Sequence, residues 1–305
     1  MLLILEKFML KTNLLHNPNA GEEDFTEKEL VRLIRKEGFE CTYSSVKQEG
    51  WDEFDDRCDF LIIAGGDGTV RRVSKALVKR KLLQKQFPLA ILPHGTANNI
   101  AGALSVKGEP KDIVASWKSG KRHRFDIGKV QGTPDEMFFL EGIGFGVFSK
   151  LIKVMEKFDK ELANDVDEKI KAARAVFYDV VTSYEARQCR IIADGSDHSG
   201  KYLLVEVINT PSVGPNLILA NGTDTGDGEL EVVLVPEEHR GKLEQYLLAL
   251  INGTDMKPSF TTIKAKHITI LWEGRDLHVD DERIKLDKPV EIKVDVLPGV
   301  LEFMI

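Results

Sequence analysis

The chain has few cysteines, and none of them is spaced for a disulfide framework or a zinc site. Cys41, Cys58 and Cys189 are odd in number and far apart, and no C-x-x-C occurs. Proteins of oxidising compartments use cysteine more densely and in pairs. The sequence therefore predicts a protein of a reducing compartment, with the cytoplasm as its expected location.

Long hydrophobic runs are also missing. No stretch approaches the run of about 18 apolar residues that a membrane-spanning helix needs. The apolar run Leu2 to Leu5 is interrupted at once by Glu6 and Lys7, which is too short for the apolar region of a signal peptide. Any contact with a membrane is therefore expected to be peripheral and transient.

The chain lacks a surplus of positive charge. Its net charge of -7 argues against non-specific binding to nucleic acid, because phosphate backbones are held by excess Lys and Arg. A basic cluster at 118–124 (Lys118, Lys121, Arg122, His123, Arg124) could meet anionic headgroups, although such clusters are commonly solvated loops. With 305 residues and 42% hydrophobic residues, the chain can form two globular domains.

Several common catalytic motifs are absent. The sequence contains no G-x-x-x-x-G-K-[ST], which excludes a standard P-loop ATPase, and no G-x-S-x-G or H-E-x-x-H. The segment GIGFGV has three glycines, but Val147 stands where a dinucleotide fingerprint requires the third one. We interpret this segment as a turn.

Strand and helix patterns alternate over residues 1–125. The segment TEKELVRLIRKEG has one apolar face, a capping box formed by Thr26 and Glu29, and Gly38 just past its end, so it predicts an amphipathic helix. Strands that alternate with helices indicate a parallel sheet. The first domain is therefore expected to be a Rossmann-like α/β domain.

Shorter strands separated by turn residues dominate residues 126–305. Segments such as EMFFLEGIGFG, CRIIADG, KYLLVEVINT, ELEVVLV and LHVDDERIK are typical of an antiparallel β-sandwich. Helices are expected over 150–163, over 167–186 and within EEHRGKLEQYLLALING. The fold class is thus α/β plus all-β, and the last residues, GVLEFMI, could return to the first domain.

The segment IIAGGDGTVRRV interrupts a buried strand with Gly65, Gly66 and Gly68 and then begins a helix near Thr69. Free amides and the dipole at a helix start attract anions, and glycines let the backbone approach a phosphate closely. Asp67 could orient a magnesium ion or a reacting hydroxyl. The alternative is a tight strand-to-helix turn that needs glycine only for its backbone angles.

A second loop, PHGTANN, follows the next strand and contains Gly95, Thr96, Asn98 and Asn99. In a parallel sheet, both loops would lie at the carboxyl ends of the strands, where ligands bind. The alternative is a structural Asn-rich turn that caps a helix.

Together, GGDGT and PHGTANNIA resemble the catalytic domain of diacylglycerol and sphingosine kinases, particularly the soluble bacterial lipid kinases. The resemblance extends to HNPNAG at 16–21, FDIGKV at 125–130, GDGELEVVLV at 226–235 and VDDERI at 279–284. It therefore covers most of the chain. It implies an ATP-binding domain at 1–125 and a lipid-binding β-sandwich domain at 126–305.

The resemblance also implies roles for individual residues. The residues expected to bind ATP are Asn17, Gly21, Ser45, Gly65, Gly66, Asp67, Gly68, Thr69, Gly95, Thr96 and Asn98. Asp67 and Asp126 would face the transferred phosphoryl group, and either Asp280 or Glu282 would be the base. Asp227, with backbone carbonyls of Asp224 and Glu229, would hold a magnesium ion. Acidic turns of a sandwich are the alternative for these last residues.

Two positions depart from the pattern of the family. Members usually carry Asn-Asp where this chain has Asn98-Asn99, and Asp-Gly-Glu where it has Asp280-Asp281-Glu282. The first change replaces a carboxylate by an amide, and the second alters the turn beside the expected base. Either could shift substrate choice, weaken metal binding or leave a protein that binds without turnover.

The resemblance implies a kinase that uses ATP and Mg²⁺ to phosphorylate a membrane lipid, with diacylglycerol as the first expectation. It implies no nucleic-acid partner and allows a homodimer. One alternative is an NAD kinase, whose members also carry GGDGT; another is a catalytically silent lipid- or nucleotide-binding protein. We expect Asp67→Asn to abolish transfer and leave thermal stability nearly intact.

Overall fold

We describe the chain from a computed structural model, which covers residues 9–20, 26–80, 84–157, 166–254 and 256–305. It divides into two compact units. Unit 1 comprises residues 1–123 and 301–305, and unit 2 comprises residues 124–300. Within the described ranges, no helix is both long and apolar enough to cross a membrane.

Unit 1 is an α/β unit, as the alternating pattern predicts. Its elements are β1 (Lys11–His16), α1 (Glu27–Lys36), β2 (Glu40–Ser45), β3 (Phe60–Gly65), α2 (Asp67–Val78), β4 (Leu89–Pro93), α3 (Asn99–Ala103) and α4 (Pro110–Ser116). The strands form a parallel sheet in the order β2-β1-β3-β4. At the end of the chain, Phe303 pairs with Leu89 in the parallel direction.

The local sequence explains why these elements form. Every residue of β3 is buried, as expected for a strand that is covered on both faces. Helix α1 begins with the predicted capping box, in which Glu29 and Thr26 bind each other's backbone amides. Its buried residues Leu30 and Ile34 pack on the sheet within the core of unit 1. The cap therefore defines where α1 begins, and the buried residues attach the helix to the sheet.

Unit 2 is dominated by antiparallel strands. Its strands are β5 (Arg122–Gln131), whose first two residues belong to unit 1, β6 (Met137–Phe139), β7 (Gly142–Gly146), β8 (Arg187–Ala193), β9 (Ser196–Asp197), β10 (Gly200–Ile208), β11 (Ser212–Val213), β12 (Leu217–Ile218), β13 (Leu230–Pro236), β14 (Thr261–Ala265), β15 (His267–Trp272), β16 (Asp276–Val279), β17 (Glu282–Lys285) and β18 (Glu291–Met304), whose residues from Leu301 onward belong to unit 1. Its helices are α5 (Val147–Met155), α6 (Val166–Ser183) and α7 (Arg240–Ile251).

Strand β10 organises unit 2, because it pairs with β8 over residues 200–202, with β7 over 204–208 and with β13 over 202–208. Strand β7 in turn pairs with β16, which forms a hairpin with β17. One apolar core is formed mainly by side chains of the strands. A second core is formed where α5, α6 and α7 pack on β10 and β13. The predicted combination of an α/β domain and a β-sandwich domain is confirmed.

Three local predictions in unit 2 were wrong. GIGFG is strand β7 and not a turn. A Cβ on any of its three glycines would collide with atoms of β10, so the absence of side chains lets the two strands pack together. EMFFLEGIGFG and LHVDDERIK were each expected to be one strand, but each is broken into two. The breaks fall at residues 140–141 and 280–281. The backbone amides of Leu140 and Glu141 donate hydrogen bonds to the carboxylate of Asp280.

The helix bounds also differ from those predicted. The helix expected over 150–163 is α5, which begins earlier at Val147 and ends at Met155, and residues 158–165 lie outside the described residues. Gly146, at a positive φ of 93°, starts this helix directly from β7. The helix expected over 167–186 is α6, at Val166–Ser183.

Candidate active site

The carboxyl ends of the parallel strands of unit 1 gather most of the residues expected to bind ATP. Asn17 follows β1, Ser45 ends β2, and the two glycine loops follow β3 and β4. Hydrogen bonds join neighbouring strand ends: the Asn17 amide donates to the Ala64 carbonyl at 2.9 Å. Gly21, which was also expected here, lies outside the described residues. The edge is where ligands of parallel sheets bind.

The two glycine loops touch each other through their backbones. A Cβ at Gly95 would lie 2.4 Å from the Cα of Gly66, and a Cβ at Gly66 would lie 2.8 Å from the Cα of Gly95. No side chain fits between backbones this close. The glycines are therefore required for the packing of the two loops, as the structural alternative for this motif expects, and their role in binding a nucleotide stays a prediction.

Gly65 has a similar steric role within the first loop. A Cβ at Gly65 would lie 2.5 Å from Oγ1 of Thr69, in the first turn of α2. That hydroxyl accepts a hydrogen bond from Nδ2 of Asn17 at 3.0 Å. Gly68 also lies in the first turn of α2, where amides without helical partners face outward from the helix start. The end of β1 and the start of α2 are thus linked.

Asn98 closes the second loop. It has a positive φ of 53°, its side-chain oxygen accepts from the Gly95 amide at 2.9 Å, and its Nδ2 donates to the Gly95 carbonyl at 2.6 Å. Asparagine tolerates this left-handed conformation better than most residues. Thr96 lies inside the closed loop. The side chain of Asn98 is therefore used to shape the loop.

Asp67 links the two glycine loops by its charge. Its carboxylate accepts from the backbone amides of Asn99, at 2.9 Å, and Ile100, at 3.0 Å, which begin α3. A carboxylate at a helix start stabilises the free amides there. Asn99, the first departure from the family pattern, is itself 3% exposed. Asp67 therefore has a structural contact that the sequence did not predict, beside its expected role toward phosphate.

Asp126, in unit 2, is completely buried. Its carboxylate accepts from the amides of Gly228, at 2.7 Å, and Gly299. Burial raises the pKa of Asp126, although the two amides act in the opposite direction. Asn209, also buried, donates from Nδ2 to the Asp126 carbonyl at 2.8 Å. These contacts place Asp126 among backbone amides of its own unit, and its expected role toward the phosphoryl group stays a prediction.

Asp280 is the most tightly held acid among those expected to act. Its Oδ1 accepts from the amides of Leu140, at 3.1 Å, Glu141, at 2.8 Å, and Gly142, at 3.2 Å. Its own amide donates to the Gly142 carbonyl at 2.7 Å, and its φ is 52°. Amide donors favour the ionised carboxylate.

Glu282 differs from Asp280 in its surroundings. It is the first residue of β17 and is exposed. Asp281, the second departure from the family pattern, is also exposed and lies in the turn between β16 and β17. The turn takes its left-handed residue at Asp280, so the family's glycine is not needed for chain reversal at position 281. The two candidates for the base remain Asp280 and Glu282.

The residues expected to hold magnesium do not form a ready metal site. Asp224 and Asp227 each accept the backbone amide two residues ahead at 3.0 Å, and the second oxygen of Asp227 binds the ammonium of Lys264. Among the described residues, no group of three or more His, Cys, Asp or Glu is arranged to hold a metal ion. A cation at Asp227 would have to displace Lys264, and the metal role of Asp224, Asp227 and Glu229 stays a prediction.

Strand register explains why Lys264 lies there. In the antiparallel pair β13–β14, Lys264 is directly opposite Glu231, and its ammonium is also 3.9 Å from Glu229. Burial raises the pKa of Glu231 to about 7. The lysine thus neutralises an acidic cluster that includes one buried carboxyl group.

The sequence did not point to Glu206 and His278, which form a buried pair in unit 2. The side chains are 0% and 1% exposed, and Nε2 of His278 lies 3.0 Å from both oxygens of Glu206. One signal was available, since Glu206 is a lone acid in the apolar run YLLVEVI. Its partner could not be found in the same way, because it lies 72 residues away in the sequence.

Comparison with known proteins agrees with this organisation. Residues 11–130 match the model of the diacylglycerol kinase catalytic domain, and residues 158–305 match the YegS C-terminal NAD kinase beta sandwich-like domain. A diacylglycerol kinase of Bacillus subtilis (strain 168) is 24% identical over 310 residues, which cover 94% of this chain and 86% of that protein.

A solved structure shows the same fold. The crystal structure of a diacylglycerol kinase from Bacillus anthracis str. Sterne aligns with a TM-score of 0.71 and 20% identity, covering 98% of each chain. The two family models together span both units, and the glycine loops of unit 1 lie inside the first. The chain therefore belongs to the diacylglycerol kinase catalytic-domain family and is a lipid kinase.

Proposed function

We propose that the protein transfers the γ-phosphoryl group of ATP to the free hydroxyl of diacylglycerol and forms phosphatidic acid. The observation that carries the proposal is the contact of the two glycine loops at the carboxyl edge of the parallel sheet, with Asp67 bound to the start of α3. Diacylglycerol is the acceptor named in the matching family model and in the Bacillus subtilis relative.

In the proposed reaction, the lipid oxygen forms a bond to the γ-phosphorus while the bond between that phosphorus and the β–γ bridging oxygen breaks. ADP leaves with the bond electrons, and the hydroxyl proton passes to Asp280 or Glu282. Backbone amides of Gly66 and Gly68 stabilise the charge on the phosphate oxygens. Magnesium enters with ATP as part of the substrate and neutralises phosphate charge there.

The lipid acceptor requires access to a membrane surface. We propose transient peripheral contact with a membrane. Support comes from the chemistry of the acceptor, since diacylglycerol resides in the bilayer. Binding to vesicles with and without diacylglycerol, measured by co-sedimentation, tests this part separately from catalysis.

The first experiment follows labelled γ-phosphate from ATP with Mg²⁺ to diacylglycerol, monoacylglycerol, sphingosine, phosphatidylglycerol and NAD. We expect label on diacylglycerol, and we expect Asp67→Asn to remove it. The expectation that this variant keeps its stability nearly intact changes with the structure: because Asp67 binds two amides of α3, the variant should lose about 1 kcal/mol of unfolding free energy. Wild-type turnover by the variant would contradict the role of Asp67.

NAD kinase is the second candidate function. The C-terminal family model, described as NAD kinase beta sandwich-like, favours it together with GGDGT at 65–69. Label on NAD alone would move the protein to that activity. ATP binding without label on any acceptor would instead indicate a binding protein, and would direct attention to Asn99 and Asp281.

A further inference from the structure

A row of three residues crosses three neighbouring strands of unit 2. His278 of β16 is paired with Gly144 of β7, and Gly144 is paired with Glu206 of β10. Residues paired across strands project to the same face of a sheet. Because Gly144 has no side chain, Glu206 and His278 meet above it, and a Cβ at Gly144 would lie 2.0 Å from the Glu206 carboxylate oxygens.

The hydrogen bonds of His278 determine where its proton lies. Nδ1 is 2.7 Å from the backbone carbonyl of Asp280, and a carbonyl can only accept. Nδ1 must therefore carry hydrogen, while Nε2 shares a proton with Glu206. The ring also packs on Phe148, with ring centroids 4.7 Å apart. The imidazole is fixed on both edges and on one face.

The surroundings favour a stable pair. Burial raises the pKa of Glu206; burial alone would lower the pKa of His278, but the Glu206 carboxylate and the Asp280 carbonyl outweigh it and raise that pKa. Arg283, opposite His278 on β17, is bound to Asp276 and Glu156. The acids that face His278 are thus Glu206 and Asp280.

We propose that the Glu206–His278 pair is a positioning device for the turn that carries Asp280 and Glu282, and that it acts through the bond from His278 Nδ1–H to the Asp280 carbonyl. That bond holds Asp280 at its left-handed φ of 52°. In this conformation the Asp280 carboxylate meets the amides of Leu140, Glu141 and Gly142. Glu206 fixes the ring that makes the bond. The proposal rests on the proposed kinase function only for its effect on turnover.

A matched pair of double variants tests the bond to Asp280. E206M/H278F removes the charge and both hydrogen bonds but fills the space, and replacing both partners by apolar groups is often nearly neutral for stability. E206M/H278N differs only at residue 278, where an amide N–H can take the place of Nδ1–H. The control H267N removes the exposed histidine that binds Asp295 in the same unit.

We expect E206M/H278F to stay folded with a modestly lower melting temperature, because the Asp280 carbonyl loses its donor, and to keep the wild-type KM for ATP. Its kcat for lipid should fall about 10- to 100-fold, as for other displaced catalytic groups. The kcat of E206M/H278N should be at least about fivefold higher than that of E206M/H278F, because the asparagine restores the donor to the Asp280 carbonyl. H267N should match wild type. Equal kcat values for wild type and a folded E206M/H278F would overturn the proposal.

A second measurement is independent of lipid turnover. In protein labelled with ¹⁵N-histidine, the Nδ1 signal of His278, assigned by its loss in E206M/H278F and E206M/H278N, should remain that of a protonated nitrogen from about pH 5.5 to 8.5. Loss of the hydrogen from Nδ1 within that range would overturn the proposal. If wild type phosphorylates no lipid, the proposed function fails, and this measurement still decides whether the pair is built as described.

Discussion

The glycine loops of unit 1 and the acidic turns of unit 2 use carboxylates in the same way. The sequence indicated the glycine loops clearly, but it did not indicate how the acidic turns are held. Asp67 binds two amides at the start of α3, 32 and 33 residues away. Asp280 binds three amides near the start of β7, 138 to 140 residues away. In each case a carboxylate gathers backbone amides, and the loop around it takes its shape from that contact.

The comparison teaches that a local motif and a long-range contact can do the same physical work. In unit 1, Asp67 lies within a glycine motif that is evident in the sequence, although its contact with α3 needed the structure. In unit 2, the amides belong to a segment that resembles an ordinary strand. The predictions below test whether backbone packing dominates in unit 1 and side-chain charge dominates in unit 2.

The largest effect is expected from Gly95→Ala. Its new Cβ would lie 2.4 Å from the Cα of Gly66 and 2.9 Å from Oδ1 of Asn98, so the loops must separate. We expect kcat/KM for ATP to fall at least about 100-fold. Gly102→Ala is the control, because no atom lies within 4 Å of its Cβ position. Equal kcat/KM values for both variants would show that the loop contact is dispensable.

The next effect separates the two candidates for the base. We expect Asp280→Asn to reduce the free energy of unfolding by about 2 kcal/mol, because a neutral amide oxygen is a weaker acceptor than a carboxylate for the three buried donors. The new NH₂ group would also face the Leu140 amide that the second carboxylate oxygen now accepts. Glu282→Gln, at an exposed position, should change it by less than about 0.5 kcal/mol. Chemical denaturation measures both values.

Kinetics of the same two variants then assigns the base. The variant that lacks the base should lose at least about 100-fold in kcat. If Asp280→Asn unfolds at the same denaturant concentration as wild type, the three amide contacts do not stabilise the turn, and the proposed parallel with Asp67 is broken.

A smaller effect concerns divalent cations in unit 2. Lys264→Met removes the ammonium from Asp227, and we expect the affinity of this site for Mn²⁺ to rise about fivefold, the equivalent of one surface ion pair. Titration followed by electron paramagnetic resonance measures the binding. Lys293→Met, at an exposed ion pair with Glu291, is the control. Equal affinities of the wild-type protein and the Lys264→Met variant for Mn²⁺ would show that the ion pair of Lys264 with Asp227 does not compete with cation binding.

The last prediction concerns the cysteines, which lie in both units and whose reactivity does not involve the candidate site. Burial raises the pKa of Cys189 to about 12 and also raises the pKa of Cys41 and Cys58. At pH 8 the thiolate forms are therefore scarce, and the native protein should react with an aromatic disulfide reagent at least about 100-fold more slowly than the denatured protein. Rapid reaction of one thiol in native protein would reveal local opening of its unit.

Sequence reasoning was most successful where structure depends on neighbours in the chain. The capping box of α1, the all-buried strand β3 and the positions of both glycine loops follow from residues only a few positions apart. The antiparallel character of unit 2 was also predicted, but the breaks in two of its strands were not. Those breaks exist because Asp280 and residues 140–142 bind each other across the fold.

In the candidate site, too, features that depend on nearby residues were predicted and long-range contacts were not. The loops that were expected to bind ATP are assembled at the sheet edge as parallel topology requires. The contacts of Asp67 with α3, of Asp126 with two glycine amides and of Lys264 with Asp227 all needed the structure. A pattern of residue types indicates which groups are available, but it does not indicate which amide or ammonium each group meets.

The sequence by itself determined the two kinds of fold, the glycine loops and the class of chemistry, because hydrophobic period, turn residues and helix caps act over short distances along the chain. Only the tertiary structure decided that Glu206 and His278 meet above Gly144, and that Asp280 is held in its left-handed conformation. Those outcomes depend on strand register, which brings together residues distant in sequence and excludes water from between them.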